Sequence, residues 1–215
     1  MQNIQTLIQE KYDAEIHNVH AFILDDLHST NADLANAKLD VFEYQVKEEH
    51  QRDTEIVVRP DSMVIERFDN FMMNNQVTNE ISLLNMLIKP LIKGNSQIAD
   101  TIIELLAVQV QKLKALDPGV EDVKTASFIT FADGQAYRYD VFIWSKQFSS
   151  PQIINTFGQT SALLVARSNI SRTKSDYNAV DANYMPLVKL AFPENETEHQ
   201  VHLQRCRMVM LSRNR

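Results

Sequence analysis

The side chains in this chain best suited to ligating metal or acting as base or nucleophile are its six histidines and single cysteine. His17 and His20 are three residues apart, so on a helix they stand on adjacent turns, with Asp13 and Glu15 nearby. A structural zinc site takes four ligands and a catalytic one at least three. No third ligand stands at a matching spacing, and a solvated helix face accounts for the pair. His199 and His202 repeat the spacing in an acidic stretch that leads into an expected strand, and read the same way. Cys206 lies between Arg205 and Arg207, a setting that can favour a thiolate. On a strand, however, neighbouring side chains point to opposite faces, so a buried, inert cysteine is expected. Asp25 and Asp26 are adjacent on an expected helix and diverge by about 100°, which suits them poorly as a carboxylate pair. No serine stands in a nucleophile-elbow setting. The four glycines form no cluster, against the backbone approach that P-loops and dinucleotide-binding turns require. The expectation is therefore a non-enzymatic protein with no catalytic, cofactor-binding or metal-binding residue.

The stretch with the strongest structural signal is Thr125 to Ser145, two β-branched and aromatic runs flanking Asp133-Gly134. That dipeptide favours a two-residue type I′ hairpin. The loop length pairs Ala132 with Gln135, Thr130 with Tyr137, Phe128 with Tyr139 and Ala126 with Val141. Alternation then places Phe128, Tyr137, Tyr139 and Val141 on one face, and Ile129, Phe131, Arg138, Phe142 and Trp144 on the other. Both faces are largely apolar, so each needs cover from helices, a second sheet or another chain.

The same residues allow a sharper idea. Proteins that bind single-stranded nucleic acid stack bases on aromatic rings displayed by a sheet and guide the backbone with cations. Tyr137, Arg138, Tyr139 and Trp144 supply rings and a guanidinium, while Arg167, Arg172, Lys174, Arg205 and Arg207 supply further charge. The electrostatics oppose this. Residues 1–160 carry 13 Lys/Arg against 23 Asp/Glu, a balance of −10, and residues 161–215 carry 8 against 5, or +3. Most of the chain repels phosphate.

The elements that must position these residues can be read in order. Residues 3–28 form an amphipathic pattern with Ile4, Ile8, Tyr12, Ile16, Val19, Ile23 and Leu27 in one stripe. Ser29-Thr30-Asn31 interrupts it, and a second helix is expected over about 32–50. A strand–turn–strand hairpin is expected near 54–68, with Pro60 at the turn. Helices follow at 79–89, ended by Pro90, and at 97–116, capped by Asn95 or Ser96 and stopped by Asp117-Pro118-Gly119. Past the hairpin, 161–166, 186–192 and 201–211 read as further strands, and 168–183 as a long polar loop of the kind that is usually functional or disordered.

The fold class expected is α+β: a mainly helical portion over 1–120 and a mainly antiparallel sheet over 121–215. A boundary falls near 118–124 unless the two form one continuous domain. No apolar run approaches the ~20 residues of a membrane span, and the N-terminal residues lack a signal-peptide pattern. One cysteine fits a reducing compartment. The expected place is the cytoplasm, or a virion assembled there. With no catalytic motif, the leading reading is a structural or assembly protein that contacts itself or other protein subunits, a viral or phage virion component being one home for it. Binding of single-stranded nucleic acid, RNA above all, is the alternative.

Overall fold

The computed structural model describes residues 31–72, 79–148 and 159–211. The expected helix at 3–28, with His17, His20, Asp25 and Asp26, lies outside them. The fold is α+β, as the patterning implied. In chain order the elements are α1 (31–52), β1 (Val64–Asp69), α2 (Glu80–Leu87), α3 (Ser96–Lys114), β2 (Glu121–Ala132), β3 (Gln135–Gln147), β4 (Gln159–Asn169), α4 (Tyr177–Ala191) and α5 (Glu196–Leu211). The four strands form one antiparallel sheet in the order β1-β4-β3-β2. No described helix is long and apolar enough to cross a membrane.

The β2–β3 hairpin has the expected register, from Ala132 opposite Gln135 to Ala126 opposite Val141. Asp133 and Gly134 have φ of 50° and 69°, the left-handed pair that a type I′ turn demands. A second glycine fixes how α3 meets this hairpin. Gly94 has φ of 119°, and a Cβ there would stand 2.9 Å from the Phe131 carbonyl oxygen. Only a residue without a side chain lets the loop before α3 approach β2 so closely. Asn95 then caps α3, its side chain accepting from the amides of Gln97 and Ile98.

Two expected strands and an expected hairpin take other forms. Residues 186–191 belong to α4, with Phe192 as its C-cap, and the buried Val180, Tyr184, Leu187, Val188 and Ala191 recur at helical spacing. Residues 201–211 belong to α5, which buries His202, Cys206, Val209 and Met210. Tertiary cover decides both: each helix lays one side on a large apolar core, and Pro186 is accommodated within α4. The 54–68 hairpin is also replaced. Residues 57–69 run as a broken edge strand along β4, with Val58 bridging Ile170 and Val64 opposite Arg167. Pro60 has no N–H to offer the ladder, and at the break Ser62 Oγ accepts the Asn169 amide at 2.8 Å instead. Of the polar stretch 168–183, the second half starts α4, capped by the Asp176 side chain on the Asn178 amide.

The sheet carries two cores. The larger takes side chains from Ile56 to Met210, drawing on both sides of residue 120, and packs α2, α3, α4 and α5 against Tyr139, Val141, Ile143, Leu163 and Val165. The smaller lies under α1, where Ala35, Leu39, Phe42 and Val46 meet Phe142, Trp144, Ala162, Leu164 and Ala166. Phe42 stacks on Phe142 at 5.3 Å between ring centres. Strict alternation groups Ile129 and Phe131 with Phe142 and Trp144, yet both join the larger core. At the turn end of the hairpin α4 supplies the cover, with Tyr184 edge-on to Phe131 at 4.7 Å. Ion pairs tie α1 to both sheet edges: Arg67 of β1 reaches Asp40 at 2.7 Å, and Lys38 reaches Glu121 of β2 at 3.2 Å.

Candidate functional site

Between the small core under α1 and the cover at the hairpin turn lies a cluster of ionisable groups. Arg138 and Asp140 alternate along β3, so both point to the α1 side. Arg138 Nε donates to the Asp140 carboxylate at 3.0 Å, and Arg138 NH1 donates to Asp53 at 2.6 Å. His50, on the last turns of α1, places Nε2 2.7 Å from Asp140 Oδ2. Among the described residues, Arg138 and Asp140 are the only Asp, Glu, Lys or Arg that are buried. Burial works to raise the Asp53 carboxyl, but the Ile56 amide, Arg138 and the Glu55 amide outweigh it and hold the group below the ordinary carboxylate range. Burial likewise opposes the charge on Arg138, and Asp140 with Asp53 reverses this and raises it.

His50 of this cluster also lines a groove of about 630 Å³ between α1 and residues 57–65. Lys47, His50 and Gln51 enter from α1, and Lys174 faces them from the turn before α4. His50 Nδ1 is buried and has no hydrogen-bond partner. Sequence reasoning missed His50, Asp53 and Asp140. The legible signal was Arg138-x-Asp140, two opposite charges on one face of an otherwise apolar and aromatic strand.

The nine residues proposed for nucleic acid do not form one surface. Trp144 is wholly buried, Tyr139 is 1% exposed, and Arg138 is spent on its two carboxylates, so none offers a free face to a base. Tyr137 packs against the larger core. Tyr139 and Arg167 are cross-strand neighbours turned toward the loop before α3: the Tyr139 hydroxyl accepts the Lys93 amide at 2.7 Å, and Arg167 donates to the Leu91 carbonyl. Arg207 donates to the Tyr177 hydroxyl. Arg172 and Arg205 are brought together, with Lys93 and Asn95, in a second cavity of about 840 Å³ beside the hairpin turn. Lys174 belongs to the groove above His50.

The remaining chemistry is structural. His202 lies in the core with Nδ1 2.5 Å from the Tyr184 hydroxyl; burial and then Arg205 lower its pKa. His199 contacts the Phe192 carbonyl. No group of three or more metal-ligating side chains occurs among the described residues. Cys206 is fully buried on α5, and burial, reinforced by Asp181, pushes its thiol up to about 12.

One further surface bears on association. β2 is twelve residues long, stands at the edge of the described sheet, and among the described residues pairs only with β3. Among the described residues no backbone hydrogen bond reaches its outer side. The Val123 amide is taken by the Asp122 carboxylate at 2.7 Å, and Asp122 also pairs with Lys124. Val123 itself is 39% exposed. No protein-family model, curated protein or solved structure matches the chain.

Proposed function

We propose that this is a non-enzymatic assembly protein whose copies join edge to edge through β2. The observation that carries the reading is that no described strand pairs with the outer side of β2, which the loop at Gly94 covers only at the hairpin turn, beside Phe131. Exposed edges of this kind template pairing with another chain unless they are short, bulged or covered. The apolar hairpin faces that first suggested assembly are largely covered by the chain's own helices, which shifts the proposed contact to the β2 edge. Its charge pattern is self-complementary. A two-fold axis at Val123 sets Asp122 of one copy opposite Lys124 of the other, twice, and Val123 opposite Val123. Opposite charges directly across an antiparallel pair stabilise it, and like charges destabilise it.

Sedimentation velocity across a concentration series tests this. Lys124→Asp should weaken association about tenfold, near 1.4 kcal/mol, and the double variant D122K/K124D should restore it. A mass of one chain at every concentration, or association indifferent to the swap, would overturn the reading. A second reading, single-stranded nucleic-acid binding, retains one favourable observation, the cavity that Lys93, Arg172 and Arg205 share. Binding of RNA that falls steeply with salt, with no self-association, would put it first.

A further inference from the structure

We propose that the strip of sheet over β2, beside α1, is the docking surface for the chain's own residues 3–28, laid antiparallel to α1. This goes beyond assembly, and it uses the face of β2 rather than its edge. Directly opposed residues on neighbouring antiparallel strands share a face. Val123 lies opposite Trp144, Thr125 opposite Phe142 and Ser127 opposite Asp140, so all of them are on the α1 side. Those on β3 are buried there, whereas Val123, Thr125 and Ser127 are exposed. The cover that α1 gives therefore stops between β3 and β2. Width explains this: four strands about 4.8 Å apart outspan one helix of about 10 Å. On the β1 side Arg67 pairs with Asp40 and Glu43 and ties α1 down. The open side is a shelf, floored by β2 and walled by α1. Lys38 reaches Glu121 from that wall, and Leu34, Val41 and Gln45 share its flank at three- and four-residue steps. Val41 is 51% exposed.

The occupant is identified by the chain that adjoins the shelf. Residues 3–28 carry an apolar stripe from Ile4 to Leu27, and a helix apolar along one side must bury that side against another element. Only Ser29 and Thr30 separate this stretch from α1. Two helices linked by so short a connection lie as antiparallel neighbours. The lengths agree: a helix over 3–28 is about 39 Å long, and the twelve residues of β2 extend about 40 Å. Charge agrees as well. The Asn31 carbonyl accepts from Thr160, which lies across from Lys146 and so at the Glu121 end of β2. Docking brings Asp25 and Asp26 to that end, where Lys38 and Lys146 share Glu121. A separate chain would compete with a segment that its short tether holds at an effective concentration of about millimolar.

A nitroxide spin label on Arg52→Cys reads the docking in the full chain. Arg52 ends α1 and its side chain is 77% exposed, while Cys206 is fully buried and takes no label. Isoleucine methyl signals are followed by NMR. Docking brings Ile8 to the label and holds Ile23 about 22 Å further along the helix. Ile8 should therefore lose most of its intensity and Ile23 keep most of its own. Ile16→Asp sets a charge in the stripe, and Val41→Asp sets one in the exposed wall of the shelf; each should restore the Ile8 signal. An undiminished Ile8 signal, equal loss at Ile8 and Ile23, or a loss that survives either substitution would overturn the proposal. Mixing spin-labelled chains with isotope-labelled ones separates the remaining case. Loss at Ile8 in that mixture would give the shelf to a second copy's segment and overturn the proposal too, whereas an unchanged signal is expected.

Discussion

The face of the sheet under α2 and α3 is closed mainly by apolar side chains, among them Leu106, Val110, Val141 and Ile143. The face under α1 breaks its apolar contact with Arg138, Asp140 and His50. The first face gains from area and packing, at about 25 cal/mol for each Å² removed from water. The second gives up some of that gain to bury charge, which repays its desolvation only when every partner is present. What the second face obtains in return is position. An apolar helix can slide along an apolar sheet, whereas His50 on Asp140 and Asp53 on Arg138 fix α1 in one place. The same fixing sets His50 in the lining of the groove, so the costlier face is the one with a candidate site.

This contrast can be broken most directly at Asp140. Asp140→Ala leaves Arg138 and His50 without their shared acceptor and should cost about 3–5 kcal/mol in urea denaturation, the range for a buried pair deprived of one partner. A loss under about 1 kcal/mol would show that the cluster is not structurally coupled. On the other face, Leu106→Ala should cost about 2–5 kcal/mol through lost transfer energy and the cavity left behind. That cost should be the same at acidic and neutral pH, since no titrating group changes.

The smallest effect sharpens the comparison further. Asp53 titrates below its ordinary range in the folded chain, so its contribution to stability is present above the unfolded carboxyl pKa of about 3.9 and is lost as pH falls through the folded value. The difference in denaturation midpoint between wild type and Asp53→Asn should therefore be clear near neutrality and shrink on acidification. A difference that is constant or grows as pH falls would show that Asp53 is not held charged by Arg138 and the two amides.

The local signals were sound where one stretch settles its own structure. Asp133-Gly134 determined the hairpin and its register, because a two-residue turn with positive φ leaves no other pairing. Asn95 and Asp117-Pro118-Gly119 marked the two ends of α3, since caps and stops are local. Helix starts at Asp176 and at Asn195, whose side chain accepts the Glu198 amide, were equally legible. The β-branched and apolar residues around Pro186 and Val201 suggested strands instead.

What tertiary structure alone decided is which side chains share a space. Asp140 is ninety residues from His50 and Asp53 is eighty-five from Arg138, and no spacing rule joins residues so far apart. Periodicity showed that both hairpin faces need cover, but not that α1 would close one end of a face and α4 the other. Nor could it show that β2 would meet no further strand among the described residues. Alternation and capping are properties of a few consecutive residues, whereas burial, charge pairing and exposed edges depend on which distant segment arrives.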